Sequence, residues 1–316
     1  MSNKIWNRPT SILFALAALV LIAASPAHAL IDVNTCGQNL STPGGQYVLT
    51  TDLDCSGTNA NGIDITASNV VFHLAGHTIA STDCDVNQNI SGIFVQGGLT
   101  GVKIDGGTVR GFNDGIVLSS STSRVYGMTV TNACVFGIVV EGNNSQVDTS
   151  HVTLSGFDGI GIEVGSGNHI KFNDISDNTR VGVEISSFSD NNVVENNIIN
   201  RNGLAAGAQG GVAIFNGSGN VVQNNSLNNN FNGIEIQSPG NTVLKNTVNG
   251  SVSTGIFITS IGSPSIVKLN TALGNAFVDM SDDSPTCQGN LWRKNIFQTD
   301  LAGGMPNGGP GDPCIK

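Results

Sequence analysis

Basic residues are scarce: 13 Lys and Arg stand against 23 Asp and Glu, for a formal charge of −10 at pH 7. So acidic a chain repels phosphate backbones, which argues against nucleic acid as a partner. Long apolar runs are also missing. The main one, 12–24, is too short to cross a bilayer, and nothing later approaches the ~18 apolar residues that a spanning helix needs, so no membrane insertion is expected. The six cysteines form no CxxC pair and no cluster with histidine, which argues against a thiolate-held metal. Aromatics that stack on sugar rings are sparse, with only two Trp and two Tyr.

What is present begins with a leader. Lys4 and Arg8 precede the apolar run, and Ala27-His28-Ala29 has the small-x-small form of a signal-peptidase site. Residues 1–29 therefore read as a secretory signal, cleaved before Leu30 to give a periplasmic or extracellular protein. Cys36 is not the first residue after the cut, as a lipid anchor would require. Cleavage removes Lys4 and Arg8 but no acidic residue, leaving the remainder more acidic still. All six cysteines survive it, and an even number in an exported chain reads as disulfides.

A glycine followed by apolar-x-apolar recurs at Gly62, Gly92, Gly115, Gly137, Gly159, Gly182, Gly211, Gly233 and Gly255, a repeat of 22 or 23 residues with two longer steps of 30 and 29. Each unit holds two further short alternating runs, as at Val194 and Val222, then at Val152 and Ile175. Three such strands cannot bury a core alone and must stack on their neighbours. The fold class is all-β, a parallel β-helix of about nine triangular coils, roughly 43 Å long at ~4.8 Å per coil. Stretches such as "NVVQNNSLNNNFNGIEI" (220–236) then make sense. Asn, Asp and Gly tolerate the left-handed backbone of the corners, and amides stacked from coil to coil can form ladders. The residue before the glycine (Asn61, Ser91, Asp114, Asp158, Asn232) fits that role, and Phe112, Phe136, Phe157 and Phe231 form a candidate aromatic stack. Asn-x-Ser matches at Asn39, Asn89, Asn143 and Asn224 are what this composition yields by chance.

The division is a signal at 1–29, an N-terminal cap at 30–61, the β-helix at 62–275 and a C-terminal cap at 276–316. Disulfides Cys36–Cys55 and Cys287–Cys314 staple the caps, and Cys84–Cys134 is the remaining pairing. The pattern Gly-Ile-x-Ile followed by "NVVENNIINRN" and "NTVLKNTVNGS" resembles the right-handed parallel β-helix repeat proteins of the pectate-lyase-like superfamily, including NosD-like periplasmic repeats. The opening "NVVFHLAGHTIAST" is similar to their first coil. The resemblance implies a right-handed coil and leaves the activity open.

Catalytic signatures of that superfamily are missing: there is no Gly-His-Gly, Arg-x-Lys or Asp-Pro-His, and Asp282-Asp283 falls in the C-terminal cap. His73 and His77 are roughly 13 Å apart in extended chain, too far to share a metal. The Gly-Ser-Gly-Asn runs at 165–168 and 217–220 read as corner turns, and Asp148, Lys171 and Glu195 as an exposed charge ladder. The two longer steps are insertions, 80–91 and 200–210, at the same corner, and insertions on one face of a repeat protein often wall a binding surface. Between them the first sheet turns outward Glu141, Glu163 and Glu184, with Arg180 as the nearest cation; Glu141 and Glu163 share a column, and Glu184 sits one outward position earlier. Phe94, Phe215 and Phe257 also point outward there. Stacked carboxylates raise a pKa or recruit a cation, so these four residues are the catalytic candidates and the three glutamates a candidate calcium site. No cofactor is required. The expected function is binding or processing of a polysaccharide by a monomer, with lyase or glycoside hydrolase as the reaction class if it is an enzyme. The alternative is a non-catalytic structural or adhesive rod; a NosD-like role in metal-centre assembly lacks a ligand cluster to support it.

Overall fold

The computed structural model describes residues 29–84, 89–186, 188–204, 209–284, 289–302, 305–306 and 315. The expected signal segment (1–28 of its 29 residues) and the Cys287–Cys314 pairing lie outside them. Among the described residues, no helix is long and apolar enough to cross a membrane.

The chain winds through three sheets of thirteen, twelve and ten strands. One coil shows the pattern: Ile138–Val140 in the first sheet, Gln146–Asp148 in the second, His151–Thr153 in the third. Strands pair in parallel with their counterparts one coil away, Ile138 lying between Ile116 and Ile160, except that Met305–Pro306 folds back antiparallel on Asp300–Ala302. The rod has about eleven turns rather than nine, because the rungs run past the glycine marker at both ends. Gln38–Leu40, Gln46–Leu49 and Leu53–Asp54 pair with the next coil, and Val278–Asp282 and Leu291–Arg293 with the one before. At the N-terminal end a glycine, Gly37, still precedes Gln38–Leu40 in register with Gly62, but the apolar-x-apolar that follows it elsewhere is missing.

The core is a set of stacked aliphatic columns. Ile93, Ile116, Ile138 and Ile160 fill one, Val125, Val147 and Ile170 another, and Val130, Val152 and Ile175 a third, all with no solvent exposure. Each such side chain contributes about 1.5–3 kcal/mol on burial. The marker glycine answers to space. A Cβ on Gly137 would lie 2.5 Å from the carbonyl oxygen of Gly159, and one on Gly159 would lie 2.7 Å from that of Gly182.

Asparagine does two separate jobs at the corners. One residue per corner takes the left-handed conformation, and this position is permissive: Asn196 and Asn224 share it with Phe172, Lys245 and Leu269. The residue that follows it turns inward, as Ser150 after Thr149 and as asparagine in the coils beyond. Asn173, Asn197, Asn225, Asn246 and Asn270 are buried and linked head to tail. Asn197 Oδ1 accepts the Asn173 backbone N–H at 2.9 Å and the Asn173 Nδ2 at 3.0 Å, and Asn173 Nδ2 also donates to the Val147 carbonyl at 2.9 Å. The motif repeats through Asn225, Asn246 and Asn270. Parallel ladders run through Asn168, Asn192 and Asn220 and through Asn178, Asn202 and Asn230.

The expected disulfides Cys36–Cys55 and Cys84–Cys134 are both formed. At the C-terminal end Asp282 stands opposite Ile258, in a column otherwise aliphatic. Its buried carboxylate accepts from Trp292 Nε1 and Asn290 Nδ2, both at 2.8 Å, so it belongs to the closing of the rod.

Replacing Asn197 by Ala strips the acceptor from a buried backbone N–H and leaves the Asn173 amide half-satisfied. At about 1–3 kcal/mol for a buried orphan group, the loss of unfolding free energy should be about 3 kcal/mol, read from denaturant unfolding against the parent.

Candidate functional site

The first sheet is flat except where its outward column loses side-chain bulk. Phe94, Val117, Val139, Gly161 and Glu184 stand opposite one another on successive rungs. At Gly161 the column has no side chain, and Phe136 and the Glu163 carboxylate lean over the gap: a Cβ there would lie 3.0 Å from Glu163 Oε1 and 3.4 Å from the Phe136 ring. Beside them lies a cleft of about 230 Å³. Phe94, Val117 and Val139 make its floor; Asn89, Ser91, Asp114 and Phe136 form one wall, and Glu141 and Glu163 the other.

Glu141 and Glu163 occupy the same position on consecutive rungs, their backbone N–H groups donating to the carbonyls of Leu118 and Val140. Glu141 accepts from the Ser119 hydroxyl, and Glu163 Oε2 accepts from Ser186 Oγ at 3.3 Å. Glu163 Oε1 is shut off from solvent without a hydrogen-bond partner. Burial pushes the Glu163 carboxyl above its ordinary range, against the pull of Ser186 and Arg180. Asp114 is likewise raised by burial, with Glu141 and Glu163 adding like-charge repulsion. Its Oδ1 meanwhile accepts the Phe136 N–H at 3.2 Å.

Glu184 stands two residues back along the strand, opposite Gly161, so the three glutamates divide into a pair and a single residue. Glu184 is ion-paired with Arg180, which also forks onto Asp158, Nε to Oδ1 at 2.9 Å and Nη2 to Oδ2 at 2.5 Å. The guanidinium stacks 3.8 Å from the Phe157 centroid and lies 3.5 Å from Gln209 Oε1, at the end of the second insertion. Arg180 is thus already held by two carboxylates. Burial dominates at Asp158, which has no solvent exposure: despite Arg180, its carboxyl is pushed up to about 6.

The remaining sequence candidates are structural. His73 pairs with Asp105 and His77 with Asp52, each at 3.0 Å, in different places. The Gly-Ser-Gly-Asn runs are corners with left-handed glycines at 165, 167, 217 and 219. Asp148, Lys171 and Glu195 do share a column, but Asp148 is ion-paired with Arg124, which stands two residues back on the preceding rung, at 2.6 Å. Of the four phenylalanines expected to stack, Phe136 and Phe157 meet edge-on at 5.5 Å while Phe112 is buried in the core. Among the described residues, no group of three His, Cys, Asp or Glu side chains is placed to hold a metal ion. Sequence reasoning missed Asp114 and Phe136 as cleft residues, since both sit in corner positions. The signal that could have found them is the step from Asp114 to Phe136 to Asp158 immediately before successive marker glycines.

Residues 91–236 match the family described as the right handed beta helix region. The match and the three parallel sheets agree on the fold, a right-handed parallel β-helix. No curated protein matches the chain. Among solved structures it is similar to the Dettilon tailspike protein (16% identity, TM-score 0.61, covering 87% of this chain and 61% of that one). It is also similar to the Agl-KA catalytic domain (12%, 0.56, 91% and 61%) and to DFA-IIIase from Arthrobacter chlorophenolicus A6 (13%, 0.53, 81% and 67%). The chain spans about 61% of the first two, and at these identities the likeness is one of fold.

Asp158 carries a pH signature. Its folded value of about 6 lies above the ordinary 3.8, so the stabilisation it gives is full below pH 3.8 and is lost as pH rises through 6. At about 1.4 kcal/mol per unit, unfolding free energy should fall by on the order of 3 kcal/mol from this group between pH 4 and pH 7. In Asp158→Asn that component should vanish, as measured by denaturant unfolding at both pH values.

Proposed function

We propose that this protein is an exported β-helix rod, acting as a monomer, that holds a neutral polysaccharide along its first sheet. Glu163 is the proton donor and Glu141 the nucleophile of a retaining glycoside cleavage: Glu141 displaces the leaving group that Glu163 protonates, and a water deprotonated by Glu163 then releases the sugar from Glu141. The observation that carries the reading is the cleft itself, with Asp114 on one wall, Glu141 and Glu163 on the other, and Phe94 and Phe136 offering ring faces to a sugar. Consecutive rungs set the two glutamates about 4.8 Å apart at the backbone, near the ~5–5.5 Å carboxyl separation of retaining glycosidases. Burial keeps Glu163 protonated to higher pH than an ordinary glutamate, as a general acid requires. Two disulfides fit an oxidising compartment. The fold carries a tailspike protein and an enzyme's catalytic domain alike, so it does not choose between binding and catalysis.

Charge selects the polymer class. Three carboxylates line the cleft and the neighbouring Arg180 is already matched by Asp158 and Glu184, so a polyuronate meets net repulsion while a neutral chain does not. Calcium is the way round that repulsion. With Glu184 engaged by Arg180, the calcium ligands available from this chain reduce to Glu141 and Glu163.

Retention and turnover on neutral and uronate polysaccharides, each with calcium and with chelator, test the proposal. A neutral polymer should be retained without calcium, and the Glu141→Gln, Glu163→Gln double variant should lose at least about tenfold in retention and all turnover. Because Glu163 is partly buried, thermal unfolding of the double variant confirms that it is folded before its retention is compared. Retention without turnover would leave a lectin-like rod. Neither retention nor turnover on any polymer would favour the structural or adhesive reading.

A further inference from the structure

The third sheet carries a second cleft, of about 270 Å³, at the other end of the first insertion. Asp54, Ala80 and Arg110 stand opposite one another on three successive rungs, and the floor drops at Ala80 because its side chain is a single methyl. The groups on the rim are fixed in advance. Asp54 Oδ1 accepts the Ser56 N–H at 3.1 Å and its hydroxyl at 2.7 Å. Asp52 Oδ1 accepts the Thr78 N–H at 2.9 Å and lies 3.0 Å from His77 Nδ1. Ser56 Oγ in turn accepts the Thr82 N–H at 3.1 Å, tying the two rim loops together. Both loops are stapled covalently: Cys55, between Asp54 and Ser56, is bonded to Cys36, and Cys84, two residues past Thr82, is bonded to Cys134.

Arg110 is the exception on this rim. Arg124, Arg180 and Arg201 each fork onto a carboxylate, whereas the Arg110 guanidinium makes no ion pair or hydrogen bond among the described residues. It faces a gap floored by Ala80 with Asp54 on the far side.

We propose that this cleft is a second binding site and that its ligand is the vicinal diol of a neutral sugar. A guanidinium presents paired donors, carboxylates present acceptors, and a diol supplies both in one rigid unit. Two carboxylates against one guanidinium disfavour an anionic ligand, while a neutral one has no charge to be opposed. A rim already held by hydrogen bonds and disulfides loses little entropy on binding. The site stands apart from the first-sheet cleft and does not depend on its function.

The test is titration of the full disulfide-bonded protein with glucose, galactose, mannose and galacturonate, followed by NMR chemical-shift change. At least one neutral hexose should bind. Arg110→Ala and Ala80→Leu, the second of which fills the floor and keeps the guanidinium, should each weaken that binding about tenfold or more. The Glu141→Gln, Glu163→Gln variant should leave it unchanged, which separates this site from the first. Thermal unfolding confirms that each variant is folded, and Arg110→Gln replaces any that is not. The proposal is overturned by absence of hexose binding, by binding that survives both substitutions, or by galacturonate binding more tightly than every hexose.

Discussion

A coil that turns three times within about 22 residues takes backbone N–H groups out of the sheet at each corner and buries some of them. Left unpaired, each costs about 1–3 kcal/mol, and with three corners per coil the debt would exceed the margin by which a domain is stable. The inward asparagines meet it. Because the Asn197 amide reaches the N–H of Asn173 and no farther, the solution works only when the next coil is in register. The ladder therefore fixes the stacking as well as satisfying the corners, and the outward columns stay straight over many rungs because of it.

The same constraint explains which features could be read from the sequence. The marker glycine is legible because its requirement is local and identical in every coil: a side chain would strike the glycine carbonyl of the next coil. Corner asparagines are legible as a class, but their two jobs are not. The left-handed position accepts Phe172 and Leu269 as readily as Asn196, while the position beside it takes a side chain that can accept the N–H of the preceding coil, Ser150 after Thr149 and asparagine in the coils beyond. The coil at Gln38–Leu40 keeps Gly37 but not the apolar residues after it, and the coil at Val278–Asp282 has Asp279 in the glycine's place, so a count of the marker misses both and the rod is longer than the repeat.

Site residues are a harder case because their meaning depends on register across coils. Glu141 and Glu163 sit at the same distance after their glycines, so their column could be inferred. Glu184 sits two residues closer to its own, and that offset places it against Gly161 and within reach of Arg180. Asp114 resembles every other corner residue until the fold shows that Phe136 and the glutamates enclose it. Like-charge neighbours are what set it apart, since Glu141 and Glu163 repel a carboxyl already raised by burial, and that neighbourhood belongs to the assembled rod rather than to any one repeat.

A β-helix face is flat by construction, since each column repeats at one spacing with side chains of similar size. A concave site arises where a column loses bulk and something rises beside it. The second cleft meets the first condition at Ala80, the first has Phe136 and Glu163 rising beside its floor, and both border the same insertion: Asn89 and Ser91 wall one, Ser81 and Thr82 the other. The Cys84–Cys134 bond anchors that insertion to the coil carrying Phe136, two residues beyond Cys134 and part of the first cleft. One covalent link thus fixes a shared rim for two sites on different faces. The repeat supplies a regular lattice, and its departures from regularity supply the places where a ligand can be held.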